Sequence, residues 1–266
     1  MARTLLTPSN PKTDKARALG YSTAVLHLAP ATLAGGRTVC PWSTAGCREA
    51  CLNTAGRGGI IKRGETSNAI QRARVARTRW FQDDRPAFLA RLGHELRLHI
   101  KRAARDGLRV AIRLNATSDI PWETVAPSLF AAFPSVQFYD YTKGAARALR
   151  AAHRASGVWT KSTGHAWPQN YDLTLSWSGE NRDECERVIS AGGRVAVPAR
   201  NWSEGAPVWP DGPEGGQLAS APAVNGDEHD LTFTHGRGVV LALRPKGPAR
   251  RDRTGFVVDA GEASPI

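Results

Sequence analysis

The chain has 266 residues, 41% of them hydrophobic and 23% charged, and carries a net charge of +12 from 36 Lys and Arg against 24 Asp and Glu. This is the composition of a globular protein with room for a sizeable core, and no run of about 18 apolar residues offers a transmembrane helix. The start also lacks the roughly 7–15-residue apolar stretch of a signal peptide, so a cytoplasmic protein is expected.

Residues 1–20 are polar and basic and read as a flexible arm. Tyr21–Leu28 is β-rich and reads as a first strand. Pro30 to Gly59 then forms a loop with three of the four cysteines, spaced C-x6-C-x3-C at Cys40, Cys47 and Cys51. From Glu65 to Phe81 the chain reads as a helix bearing Arg72, Arg74, Arg77 and Arg79. A second helix starts at Asp83–Pro86, with Phe88, Leu89, Leu92, Leu96, His99, Ile100 and Ala103 on one face at helical spacing, and Gly107 ends it. Strands follow at 108–114, 135–139, 171–177, 193–197 and 238–243, with helices at 121–133, 144–155 and 181–191 between them. Alternation of this kind predicts βαβ units and a parallel sheet. The expected fold is a single α/β domain over 21–266, a parallel-stranded (βα) partial barrel with the cysteine loop after its first strand. Residues 200–236 read as a long loop or lid.

In parallel α/β folds the working residues gather at the carboxyl ends of the strands. Asn115, Ser118 and Asp119 follow the second strand there, and Asp140 to Lys143 follow the third. Asn115, Asp119, Tyr141 and Lys143 are therefore the candidate catalytic residues, since a Lys beside Asp and Tyr suits proton transfer or substrate anchoring. Ser118, Arg113, Asn53 and Arg57 are candidate substrate ligands. Asn53 and Arg57 lie in a Gly-rich segment whose backbone can approach a small molecule. The simpler alternative for Ser118 and Asp119 is capping of the helix near Pro121. His99 reads as a core residue and His94 as solvated. Cys185 reads as a small buried side chain, and Asp227–Asp230 as a surface turn or a cation site.

Thiolates are soft ligands suited to zinc or iron–sulfur clusters, and in a reducing compartment clustered cysteines serve metals or chemistry before disulfides. Structural zinc takes four protein ligands, often as two close pairs, and no second pair follows here. Three cysteines on a [4Fe–4S] cluster leave one iron open. This arrangement resembles the radical S-adenosylmethionine enzymes in cysteine number and in the place of the loop after the first strand of a partial, TIM-barrel-like fold. It departs from their C-x3-C-x2-C spacing and has no evident Gly-Gly-Glu after the second strand. The resemblance implies a [4Fe–4S] cofactor on Cys40, Cys47 and Cys51, with Zn2+ as the alternative metal and S-adenosylmethionine as a possible co-ligand.

Several stretches also resemble a phage and prophage protein family known by a gene-product number. They are Cys40–Gly58, Arg113–Glu123, Val136–Lys143, Gly226–Leu231 and Lys246–Asp252. That resemblance spans nearly the whole chain and implies a phage protein working in the host cytoplasm. The excess of cations favours an anionic partner, a nucleotide or nucleic acid, and no membrane. The leading expectation is thus an iron–sulfur enzyme modifying such a substrate. The alternative is a zinc-containing nucleic-acid-binding protein in phage replication or host takeover, and a third option is a Mg2+ nuclease using Asp227–Asp230.

Overall fold

The computed structural model describes residues 4–8, 11–157, 167–209 and 221–260, with the side chains of 11–14 excepted. Its frame is a nine-stranded sheet: β1 (Leu6–Thr7), β2 (Tyr21–Leu26), β3 (Arg109–Arg113), β4 (Val136–Thr142), β5 (Tyr171–Ser176), β6 (Arg194–Arg200), β7 (Ala223–Asn225), β8 (Val239–Leu243) and β9 (Val258–Asp259). The spatial order is β1-β2-β3-β4-β5-β6-β8-β7, with β9 attached to β6. Only β1 pairs antiparallel, and the sheet does not close. From β2 to β6 each strand lies beside the one before it in sequence. Over this stretch the chain winds in one direction, and only after β6 does the order turn back, with β8 entering between β6 and β7.

The helices are α1 (Pro11–Ala18), α2 (Ala45–Glu49), α3 (Ala69–Asp83), α4 (Arg85–Arg105), α5 (Trp122–Val125), α6 (Pro127–Ala132), α7 (Ala145–Ala155) and α8 (Arg182–Ser190). Their ends follow local chemistry. The Asn68 side chain accepts from Gln71 N to start α3, and Asp84 accepts from Ala87 N to start α4, with a proline in its first turn. Gly107 leaves α4 at a φ of 65°, a conformation that suits glycine. The single helix expected over 121–133 is two, because Pro127 has no N–H to continue the first.

Alternate residues of each strand face opposite ways. One face meets the apolar stripes of the helices in two clusters. The first holds Ile112, Phe138, Leu173, Phe88, Leu92 and Leu96; the second holds Leu175, Val195, Val197, Val240, Cys185 and Val188. The other face is more polar. Tyr21, Ala111 and Tyr139 lie there under Ala16 of α1 and under Leu231 and Phe233. Two ion pairs also sit there, Arg113–Asp230 at 3.0 Å and Arg194–Asp172 at 3.2 Å.

The structure corrects three expectations. In its described part the N-terminal arm is packed: Leu5 and Leu6 are buried, and their N–H groups donate to the Glu95 carboxylate. β4 runs to Thr142 and β6 to Arg200, so Asp140 and Tyr141 stand within a strand instead of after one. The long loop of 200–236 contains β7, and its residues Leu231 and Phe233 cover the polar face of the sheet; residues 210–220 lie outside the described residues. No helix among the described residues is long and apolar enough to cross a membrane.

Candidate functional site

The cysteine loop leaves β2 and reaches over the carboxyl ends of β2 to β5. Thr44 caps the short α2 by accepting from Cys47 N, and its hydroxyl donates to Ser178 O beyond β5, which pins the loop across the rim. Ala31 N donates to Cys40 Sγ at 3.2 Å. The Lys143 ammonium favours the thiolate of Cys47, and the Asn53 backbone N–H that of Cys51. Burial pushes the Cys40 thiol up to about 12, with Asp119, Cys51 and Cys47 adding to the rise. Burial also raises Cys47 and Cys51, against which Lys143 acts on both, Arg48 on Cys47 and Arg74 on Cys51. Cys40 thus feels the charge of Cys51 and Cys47, and Cys51 that of Cys47, with three cations beside the loop. Even so, no three His, Cys, Asp or Glu side chains among the described residues are grouped to hold a metal ion.

Against Cys40 lies the turn after β3. Asp119 N donates to Val39 O, and the Cys40 thiol donates to Thr117 O at 3.8 Å. Asn115, only 2% exposed, organises this turn. Its Oδ1 accepts from Ser118 Oγ, Ile120 N and Trp122 Nε1, while its own amides donate to Asp140 and Ile120 O. Ser118 is therefore used inside the turn, and neither it nor Asp119 caps the helix at Pro121. Asp119 accepts from Lys143 N at 2.8 Å and from Arg147 Nη1 at 2.9 Å. Arg147 in turn grips Glu123 with two bonds of 2.7 Å and stacks its guanidinium over Trp42. Burial raises the Asp119 carboxyl despite Arg147, and it raises Asp140 to about 7.

The residues singled out in the sequence divide into two sets. Cys40, Cys47, Cys51, Asn53, Asn115, Ser118, Asp119 and Lys143 come together on the rim. Arg113 and Tyr141 do not: they face the polar side of the sheet, where the Arg113 guanidinium lies 4.5 Å from the Tyr141 ring and pairs with Asp230. On that face Thr23 Oγ1, Tyr139 Oη and Thr174 Oγ1 are buried with no hydrogen-bond partner among the described residues. Arg57 is exposed on a 3-10 turn, Gly56–Gly59. Asn53 is buried and accepts from Arg74 at 2.7 Å. Of the other arginines of α3, Arg77 donates to Thr4 O and Arg79 to Ala34 O, while Arg72 is exposed and donates to Ser67 O beside Glu65. His99 is packed in the core beside Ser22, His94 is exposed, and Cys185 lies in the apolar cluster of α8. Asp227 pairs with Lys246 and Asp230 with Arg113, which accounts for those acids without a cation.

Two contributors escape a reading of the sequence. Arg147 lies one turn into a helix with no motif around it. Phe256 comes from a C-terminal stretch without periodicity, yet the Lys143 ammonium sits 5.2 Å from its ring. The indole of Trp177 anchors that stretch by donating to Gly255 O, and Lys143 Nζ donates to Trp177 O at 2.9 Å.

Fold and site together define an open, mainly parallel α/β protein with a cysteine trio at the carboxyl rim of its sheet. The chain belongs to the phage gene-product family described as Gene product 88, whose model matches residues 4–260. No curated protein and no solved structure matches it.

Proposed function

We propose that this protein is an enzyme whose reactive centre is an iron–sulfur cluster held by Cys40, Cys47 and Cys51 on a partial-barrel rim, acting on an anionic substrate such as a nucleotide or nucleic acid. The observation that carries the reading is the set of three half-buried thiols on one loop, with a backbone N–H on Cys40 and the cations Lys143 and Arg74 acting on the others. Hydrogen bonds to cysteine sulfurs are the means by which proteins tune such clusters. Lys143 and Arg74 suit the same purpose, because three thiolates in a half-buried loop need compensating charge.

The donor set fits a cluster better than zinc. A single zinc draws four donors to one point with Zn–S distances of about 2.3 Å. The described residues offer no such grouping, and the fourth cysteine is packed inside α8. When bound, a cluster supplies one-electron chemistry and an iron with a free position for substrate or S-adenosylmethionine.

The chain's own groups have separable tasks in this reading. Lys143 holds positive charge at Cys47 and is the one candidate catalytic side chain that touches the loop. Asp119 is a positioning residue: by accepting from Lys143 N it fixes where that ammonium begins. Asn115 and Arg147 hold Asp119's turn. Tyr141 and Arg113 belong to the opposite face of the strand and are not placed to touch the thiols.

Anaerobically prepared protein should be brown, absorb near ~400 nm and carry about four irons per chain. The Cys47→Ala variant should lose the colour while keeping its fold. A colourless protein holding one zinc overturns the proposal.

A further inference from the structure

A cavity of about 490 Å3 opens at the carboxyl ends of β6, β7 and β8. Its lining includes Arg200, Asn201, Trp202, Glu204, Asn225 and Arg244. Three parallel strands converge here: Pro198 pairs with Leu243 and Asn225 with Ala242, so the next residues of each strand form the rim of one concavity. The size suits a small-molecule site, and this end of a parallel sheet is where such sites occur.

The cavity is built from fixed and free parts. Arg200 is locked, since its Nη2 donates to the carbonyls of Ala249, Arg250 and Asp252. Asn201 turns the chain at a φ of 53°, a strained conformation for a non-glycine, and its amide is tied to Asp259 Oδ1 at 2.8 Å. Trp202 rests against the apolar cluster below and keeps part of its surface exposed. Arg244 differs: its backbone is held by Asp227, but its guanidinium has no partner among the described residues. An anchored indole and an unengaged guanidinium in one lining, with the Asn225 amide nitrogen at the edge, offer a flat ring a stacking face, an anion a fork and a base edge a hydrogen bond.

We infer that this cavity binds a nucleoside monophosphate unit, with the base on Trp202 and the phosphate on Arg244. The inference rests on the proposed action on an anionic nucleotide substrate and gives that substrate a place. The segment from Gly247 to Phe256 joins the two regions: Arg200 holds its first turn beside the cavity, and Phe256 lies under Lys143 beside the cysteine loop.

Calorimetry with the full-length protein and AMP, GMP, CMP and UMP in turn tests the inference. At least one should bind. Arg244→Ala and Trp202→Ala should each weaken it about tenfold or more, and the matching nucleoside and inorganic phosphate should each bind far more weakly than the whole nucleotide. Arg97→Ala, an exposed arginine on α4, should change nothing. If none of the four binds, or if both cavity variants bind like the parent, the inference is overturned. Thermal melts of the variants separate loss of binding from loss of fold. Iron analysis of the parent beside its titration separates the two proposals: nucleotide binding by a parent that carries no iron sinks only the cluster, and iron in a parent that binds none of the four sinks only the cavity.

Discussion

Two clusters abut at Val39–Cys40 on the rim and differ in kind. On one side, Asn115, Asp119, Glu123 and Arg147 form a knot in which every named side chain is buried and makes at least two hydrogen bonds. On the other, the thiols of the cysteine loop lie half-buried, with a backbone N–H on Cys40 and with cations acting on Cys47 and Cys51. The residue types in the knot look catalytic in a sequence, but their bonding capacity is already taken up by the fold. Saturation marks scaffold, and unused bonding capacity beside charge marks a reactive position. Lys143 joins the two, with its backbone in the knot and its ammonium at Cys47.

The contrast is tested most strongly by removing the hub of the knot. Arg147→Ala leaves Asp119 and Glu123 buried without their cation and should cost about 3–5 kcal/mol in denaturant unfolding. Asn115→Ala strips the acceptor from Ile120 N, Trp122 Nε1 and Ser118 Oγ and should cost roughly 2–3 kcal/mol. Cys47→Ser, made in metal-free protein, should change stability by less than about 1 kcal/mol, as substitutions outside tight networks do. If the cysteine change proves as costly as the arginine one, the division between scaffold and reactive loop fails.

A smaller effect sharpens the contrast through pH. Burial raises the Asp140 carboxyl to about 7 in the folded protein, from an unfolded value near ~3.9. A raised acid holds its proton longer in the native state, so between these values the folded form binds more protons than the unfolded one. Its stabilising contribution is complete below pH ~4 and is lost as pH rises through 7. Asp140→Asn, which keeps an acceptor for Asn115 N, should flatten that decline in unfolding free energy measured from pH 4 to 8. A profile as steep as the parent's would show that the decline comes from Asp119 or Asp172, which burial also raises.

Much of this was legible in the sequence. Alternating apolar strands and the α4 stripe gave the parallel sheet and its helical cover, because the period of side-chain burial is written in residue order. The meeting of Cys40, Asp119 and Lys143 followed from their common place after parallel strands. What was not legible depended on direction and pairing. Arg113 and Tyr141 are near in sequence to Asn115 and Lys143, but alternation within longer strands turns them to the other face. Arg74, Arg77 and Arg79 of α3 count as positive charge in a composition, yet they end on backbone carbonyls that only the folded chain brings near. The cavity of β6 to β8 gathers residues from three distant stretches with no shared motif.

The finest distinction lies within the cysteine trio, and selective alkylation reads it. In metal-free protein Cys40 is pushed up to about 12 by burial, with Asp119 and the other thiols adding to the rise. Cys47 and Cys51 are raised by burial as well, but Lys143 and Arg74 pull against that rise. The thiolate is the nucleophile, so iodoacetamide at pH 8 should modify Cys47 and Cys51 before Cys40, followed site by site by peptide mass spectrometry. Lys143→Met should slow Cys47 severalfold, slow Cys51 less and leave Cys40 unchanged, since the ammonium lowers the first two thiols and not the third. Equal rates at all three thiols in the parent, or a Lys143→Met variant that alkylates like it, would mean that the lysine does not govern the loop. With the cluster bound, all three should be protected together, because each sulfur is then a ligand and none is a free thiolate.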